Sequence, residues 1–300
     1  PKIIHLNSTS LIYTALIAYI LKVPIIWHIR EVMNSGYFGI RKYLIINLIN
    51  KFAAKSIFIC KYSFEQFKKP ENGSLIYNSV DFDKYNISLF DQDLKDKLKI
   101  HRGKKIILHL GGYRPIKGLS FFIDVFDQII LRNKNIILIN AGIEINENKS
   151  RLKSFIFKKL NIGYRNKIIK KIEDKNLSKY IINVPYMVDV ENLISISDIL
   201  IFTSTTPHFA RPIMEAMAMG KCVIGSNIGG VNELIKNNYN GFLFNLKDKK
   251  DLVKIFEKLK RNEKVNKNIG MNAYNFAKNN FESKKNNRAI EKLFSSVLKN

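Results

Sequence analysis

Cysteine is nearly missing from these 300 residues: there are two, Cys60 and Cys222, each alone in an apolar run. That count excludes a disulfide-built scaffold and a cysteine metal site, and reads as buried free thiols in a reducing compartment. Long apolar runs are missing too. The longest, LIYTALIAYIL at residues 11–21, is too short to cross a bilayer, and no signal-peptide pattern is visible. Acidic residues are scarce, 25 against 50 Lys and Arg, for a formal charge of +25. An excess of that size ordinarily suggests nucleic acid or an anionic membrane surface. Here most of it is Lys in a chain crowded with Ile and Asn, the mark of AT-rich coding, and no nucleic-acid-binding motif accompanies it. The expectation is a cytoplasmic protein without a nucleic-acid partner. An anionic membrane surface at its inner face is the one partner the charge leaves open. Neither the Gly-Lys-Ser/Thr ending of a Walker loop nor a GxGxxG turn is present, which disfavours P-loop and nicotinamide Rossmann chemistry.

What the chain does have is 46% hydrophobic content and enough length for two domains. Apolar strand-like runs alternate with longer amphipathic segments, the pattern of parallel sheets with crossover helices. Strands are expected at 2–6, 24–28, 56–60, 74–77, 105–110, 136–141, 181–184, 198–203 and 221–225. Helices are expected at 11–21, 41–53, 61–67, 119–131, 150–160, 190–196, 212–219, 233–237, 250–260 and 264–280, with an amphipathic last helix after that. A polar stretch at 81–103, holding a short charged helix, reads as the linker. The domains are therefore 1–100, 101–280 and a terminal helix, 281–300, that packs back on the first.

The most informative segment is PHFARPIMEAMAMGKCVIGSNIGGVNELIKNNYNG, residues 207–241. It joins a loop, a short helix rich in Ala and Met, an apolar strand and a Gly-Gly turn into another helix. Glu215 is the one carboxylate on the first helix. Backbone N–H groups at a helix start suit phosphate oxygens, and a nearby carboxylate suits a ribose hydroxyl. Residues 104–118, KKIILHLGGYRPIKG, run a buried strand into a glycine turn that carries two cations, Arg114 and Lys117. Cations on such a turn fit a pyrophosphate.

These motifs resemble the donor-sugar signature of the retaining glycosyltransferases of family four, which have the GT-B fold: two Rossmann-like α/β domains facing across a cleft. Phe209, Glu215, Ala216, Met217, Ala218, Gly220, Val223, Ile224, Gly229, Gly230 and Glu233 match it. The resemblance implies that Lys117 holds the donor diphosphate, with Arg114 substituting for a family Arg that falls near Gly112. It implies that Glu215 holds the donor ribose, and that backbone near 184–187 faces the base. VPIIWHIRE, residues 23–31, resembles the family strand that ends in a cleft histidine, so His28 is expected to orient the sugar. SIFICKYSFEQF and IYNSVDFDKYN resemble the strand, helix and Asn-Gly-Val-Asp turn before the linker, with Ser79 in place of Gly.

Departures matter as well. The family's first Glu falls on Pro207, its two glycines on His208 and Ala210, and a later Pro on Cys222. A proline neither accepts a sugar hydroxyl nor carries charge, so His208 or Arg211 is the candidate polar group there. The family's first βα units and their Gly-rich loop have no counterpart here, and the chain reads as a fragment with part of its acceptor site missing. The expected catalytic set is His28, Lys117 and Glu215. The expected substrate-binding set is Gly112, Arg114, Lys117, His208, Phe209, Ala210, Arg211 and Glu215. No metal and no cofactor are expected beyond the nucleotide diphosphate sugar as donor, with a glycan or lipid-linked acceptor in cell-envelope polysaccharide synthesis. The alternatives are a catalytically degenerate nucleotide-binding module, which Pro207 allows, and a basic scaffold, which rests on charge alone.

Overall fold

The computed structural model describes residues 1–33, 39–143 and 153–298. Its first sheet is parallel, with β1 (Ile4–Leu6), β2 (Ile25–Ile29), β3 (Lys55–Phe58) and β4 (Gly73–Leu75) in sequential order. The crossovers are α1 (Ile12–Ile20), α2 (Ile40–Phe52) and α3 (Lys61–Gln66). Strand β2 is buried along its whole length, as a parallel strand covered on both faces must be. Its residues divide with the pleat. Ile25, Trp27 and Ile29 pack with Ala15 and Ala18 of α1 and Ile45 and Ile49 of α2, while Ile26 packs with Leu293 and Val297. Those two residues belong to the terminal helix α12 (Ser283–Leu298).

After α4 (Gln92–Lys97) comes a six-stranded parallel sheet. Its strands are β5 (Lys105–Leu110), β6 (Ile136–Ile143), β7 (Ile181–Pro185), β8 (Ile199–Phe202), β9 (Cys222–Ser226) and β10 (Phe242–Phe244), ordered β7-β6-β5-β8-β9-β10. Counted within the sheet this is 3-2-1-4-5-6, the doubly wound Rossmann order, which reverses direction between β5 and β8. Helices α5 (Leu119–Arg132), α6 (Lys153–Asp174) and α10 (Lys249–Arg261) cover one face. On the other lie α7 (Val190–Ile196), α8 (Arg211–Ala218), the short α9 (Val231–Leu234) and α11 (Glu263–Phe281). Ligands of such sheets sit beyond the strands' carboxyl ends at the reversal, so the ends of β5 and β8 position the site.

Several elements depart from the sequence reading. The helix expected at 150–160 runs instead from Lys153 to Asp174, with 150–152 outside the described residues. Its second half is held by Ile168 and Ile172, buried against the α5 side of the core. Strand β6 continues past Ala141 through an irregularity at Gly142, whose φ of +93° ends regular pairing. Strand β10, Phe242–Phe244, has no counterpart among the expected strands. The stretch read as a linker is partly core: Tyr85 and Ile100 are buried in the same cluster as α8.

The two sheets are joined at several points. Val80 N donates to Phe281 O at 2.8 Å, and Asn286 Nδ2 donates to Tyr77 O at 2.9 Å. Glu233 accepts from the backbone N–H of Lys61 at 2.7 Å and of Tyr62 at 2.6 Å, capping α3 from the other domain.

Candidate functional site

At the end of β5 the chain turns through Gly111 and Gly112 into a short 3-10 helix, Pro115–Lys117. The turn can sit this low only because it lacks side chains: a Cβ on Gly112, at φ +53°, would lie 2.5 Å from the Gly142 carbonyl oxygen. Gly118 closes the turn in the left-handed conformation (φ +69°), and a Cβ there would overlap the Thr203 carbonyl oxygen just past β8. The two strand ends at the sheet reversal are thus packed backbone to backbone. The Lys117 carbonyl accepts from Thr203 Oγ1 at 2.7 Å and faces His109 Nε2 at 3.1 Å.

These contacts fix the Lys117 stem. Its ammonium lies 5.6 Å from the centre of the Phe202 ring. Desolvation, and then the charge of Arg114, hold its pKa below the usual lysine value. A cation in that state gains by meeting an anion. His208 lies on the same ring, 5.1 Å from its centroid, with Nδ1 donating to Thr206 O at 2.9 Å. Burial and the Lys117 charge push its pKa down, which favours the neutral imidazole.

Helix α8 supplies the opposite wall. Pro212 is tolerated in its first turn, where no N–H bond is required. Below it the helix is buried from Ile213 to Ala218, including Met214 and Met217, which are packing residues. Glu215 is pulled into this apolar layer at 6% exposure. Desolvation raises its pKa against the opposing charge of Arg211 and hydrogen bonds from Tyr85 and Arg211. The Arg211 contact, Nε to Oε1, is 2.7 Å.

Lys117, Arg114, Arg211 and Glu215 line one cleft of about 420 Å³, closed on a third side by Tyr186, Met187 and Val188. That volume lies within the range of small-ligand sites. Lys84 and Tyr85 also line it. Sequence reading gave them no role, since their only signal is the turn before the linker. The glycines that line the cleft are Gly111 and Gly142; Gly112, the expected one, packs behind them against Gly142.

Other expected residues stand apart. Phe209 is stacked on Tyr77 (centroids 5.5 Å, 9°) and meets Phe281 edge-on, so its ring belongs to the domain interface. Ala210 is fully buried at the start of α8. His28 is 3% exposed, and among the described residues neither ring nitrogen has a hydrogen-bond partner. Its ring stacks on His5 at 5.6 Å, and His5 in turn meets Phe294 of α12. It does not line the 420 Å³ cleft.

Known proteins are similar in both fold and sequence. A crystal structure of Anabaena HepE in complex with UDP superimposes with a TM-score of 0.86 at 23% identity, covering 98% of this chain and 79% of that one. Sucrose-phosphate synthase from Thermosynechococcus elongatus gives 0.79 at 15% identity, over 99% and 73%. Both likenesses establish the fold, a two-domain GT-B architecture. In sequence, the chain is 26% identical over 237 residues to the Escherichia coli UDP-Gal:alpha-D-GlcNAc-diphosphoundecaprenol alpha-1,3-galactosyltransferase, covering 79% of this chain and 57% of that protein. It is 22% identical over 239 residues to the Bacillus anthracis N-acetyl-alpha-D-glucosaminyl L-malate synthase, covering 78% and 56%. The chain thus spans just over half the length of these curated relatives. The family model for glycosyl transferases group 1 matches residues 90–276, which take in the reversal-point turn, Glu215 and the Gly-Gly segment. This chain belongs to the glycosyl transferases group 1 family.

Proposed function

We propose that this chain moves a sugar, with retention of configuration, from a nucleotide diphosphate sugar to a glycan or lipid-linked acceptor in cell-envelope glycan synthesis. The observation that carries the reading is one cleft at the sheet reversal with cations, Lys117 and Arg114, on its glycine turn and a buried carboxylate, Glu215, on its far wall. In the reaction the bond from the anomeric carbon to the diphosphate breaks, its electron pair leaving on the phosphate oxygen. Lys117 and Arg114 stabilise that developing charge, which is the chief catalytic contribution. The acceptor hydroxyl forms the new bond on the same face, and its proton passes to the departing diphosphate. Glu215 holds the ribose. A carboxylate offers about four acceptor positions, and Arg211 and Tyr85 use two of them, so about two remain for a pair of ribose hydroxyls. The sugar-orienting role of His28 rests on the family resemblance and its place at the carboxyl end of β2 alone, since its ring does not line this cleft.

Relatives named for a diphosphoundecaprenol-linked acceptor and for capsular polysaccharide biosynthesis support the acceptor class. The test is calorimetric titration of the chain with UDP, GDP and ADP beside the variants K117A and E215A. Micromolar binding of one nucleotide, lost in both variants, supports the donor site; silence from all three with folded protein refutes it. Pro207, in place of the family carboxylate, favours a second reading, a nucleotide-binding module without turnover. That reading predicts weak nucleotide binding with no release of free nucleotide from any sugar conjugate in the presence of acceptor.

A further inference from the structure

Glu215 takes one of its hydrogen bonds from a residue that belongs to neither sheet. Tyr85 stands in the turn at 81–86, on the segment between them. Asp81 builds that turn: its carbonyl accepts from Tyr85 N at 2.8 Å, and its Oδ1 accepts from Asp83 N at 3.0 Å and from Lys84 N at 3.2 Å. Both flanks are tied to helices of the second sheet. Val80 N donates to Phe281 O of α11 at 2.8 Å, and Asp91 N donates to Ser195 Oγ of α7 at 3.1 Å. So fixed, the turn sets Lys84 and Tyr85 in the wall of the cleft that Glu215 also lines. The Lys84 ammonium turns to Glu191 Oε2, 3.4 Å away. The Tyr85 hydroxyl bonds the Glu215 carboxylate.

The two donors to Glu215 are unequal. Arg211 bonds it at 2.7 Å but leaves its own side chain 70% exposed, where water competes and a long side chain is costly to hold still. Tyr85 is buried in the same core cluster as α8. Desolvation, and then the charge of Glu215, push its pKa up, so the hydroxyl keeps its proton and acts as a donor. A packed ring has little freedom, and a hydroxyl on it fixes the carboxylate it bonds. The remaining acceptor positions of that carboxylate are then held in one direction, toward the cleft. Ribose hydroxyls entering there meet oxygens already in place, which lowers the ordering cost of binding.

We propose that Tyr85 is a positioning residue: its hydroxyl holds the Glu215 carboxylate in the orientation that accepts the ribose hydroxyls of the donor, so a residue between the two sheets sets the preference for ribose. This rests on the reading above that Glu215 holds the ribose, and adds the group that makes that contact selective. Tyr85 itself touches neither the diphosphate nor the transferred sugar in this arrangement; it acts through Glu215.

The test titrates the full chain, as wild type and as Y85F, with UDP, GDP or ADP, whichever binds, and with the dideoxyribose form of the same nucleotide. Wild type is expected to prefer the ribose form by about tenfold or more, the value of hydrogen bonds to a charged group. Y85F keeps the ring that fills the core and loses only the hydroxyl. It is expected to reduce the preference to about twofold or less while binding the dideoxy form as wild type does, because the diphosphate still meets Lys117 and Arg114. A merely structural role would weaken both forms alike. A ribose preference in Y85F equal to that of wild type overturns this proposal alone, and so does an equal loss for the two forms. A wild type that binds both forms equally removes the ribose role of Glu215, and this proposal with it, while leaving the diphosphate contacts standing. Silence from all three nucleotides removes the nucleotide-sugar reading itself.

Discussion

Gly118→Ala tests how the site is built. Two costs arise at once. Alanine in the left-handed conformation Gly118 occupies (φ +69°, ψ 19°) costs about 1–2 kcal/mol. Its Cβ would also overlap the Thr203 carbonyl oxygen and lie 2.9 Å from the carbonyl carbon, backbone at the end of a central strand that has no slack. The turn must therefore move off β8, which breaks three bonds: Thr203 Oγ1 to Lys117 O (2.7 Å), Ser204 Oγ to Ile116 O (3.0 Å) and Thr205 N to Ile116 O (3.0 Å). At roughly 0.5–1.5 kcal/mol each, the whole loss with the backbone cost is about 2.5–6.5 kcal/mol. Gly103→Ala is the control, since Gly103 has φ +81° with nothing within 4 Å of a Cβ, so it isolates the backbone cost of about 1–2 kcal/mol. Urea unfolding of both variants reads the difference. Any G118A protein still folded carries Lys117 about an ångström from its place, so turnover falls on the order of 100-fold. Equal destabilisation by G118A and G103A would refute the claim that backbone contact between the strand ends positions Lys117.

Three further outcomes follow from particular contacts. Glu233→Ala leaves the amides of Lys61 and Tyr62 without their acceptor across the domain interface and is expected to cost about 1–3 kcal/mol; a urea midpoint equal to wild type would contradict it. Burial raises the pKa of Glu215 in the folded protein above its ordinary value of 4.5, so its contribution to stability is full below that value and is lost as pH rises through the folded pKa. E215Q should flatten that fall in a pH series of unfolding curves, and an unchanged slope would count against the burial argument. His28 has its pKa lowered to about 3, first by burial and then by the charges of Arg30 and His5. Its contribution is therefore full above 6.5 and is lost as pH falls from there toward 3, by up to about 5 kcal/mol. H28F should remove the dependence, because phenylalanine leaves no buried nitrogen to protonate; the same acid sensitivity in H28F would assign it elsewhere.

The sequence made the architecture legible because buried parallel strands leave strong local marks. Strand β5 runs through Lys105–Leu110 and helix α7 through Val190–Ile196, where the apolar run and the periodicity placed them. Some elements escaped: β10 is a brief run between Gly241 and Asn245, and the second half of α6 hides behind Gly163 and Asn161. Two walls of the cleft were legible for the same local reason, since a glycine turn with Lys117 and a helix carrying Glu215 are each contiguous in the chain.

Which groups face which was not legible, because it depends on how the two sheets pack. Tyr85 reaches Glu215, and Glu233 caps α3 from 171 residues away; no local spacing encodes either pairing. Phe209 reads as a donor-loop residue in the motif, yet its ring is taken by Tyr77 and Phe281. His28 ends a strand as expected, yet its ring is covered by His5, with Phe294 of α12 behind. By itself the sequence determined the two parallel sheets, the reversal-point turn and the helix that carries Glu215, all set by neighbours within a few residues. Tertiary structure alone decided that Tyr85 reaches Glu215 and that Glu215 is buried. Burial, charge proximity and desolvation belong to surfaces that exist only once distant segments have packed.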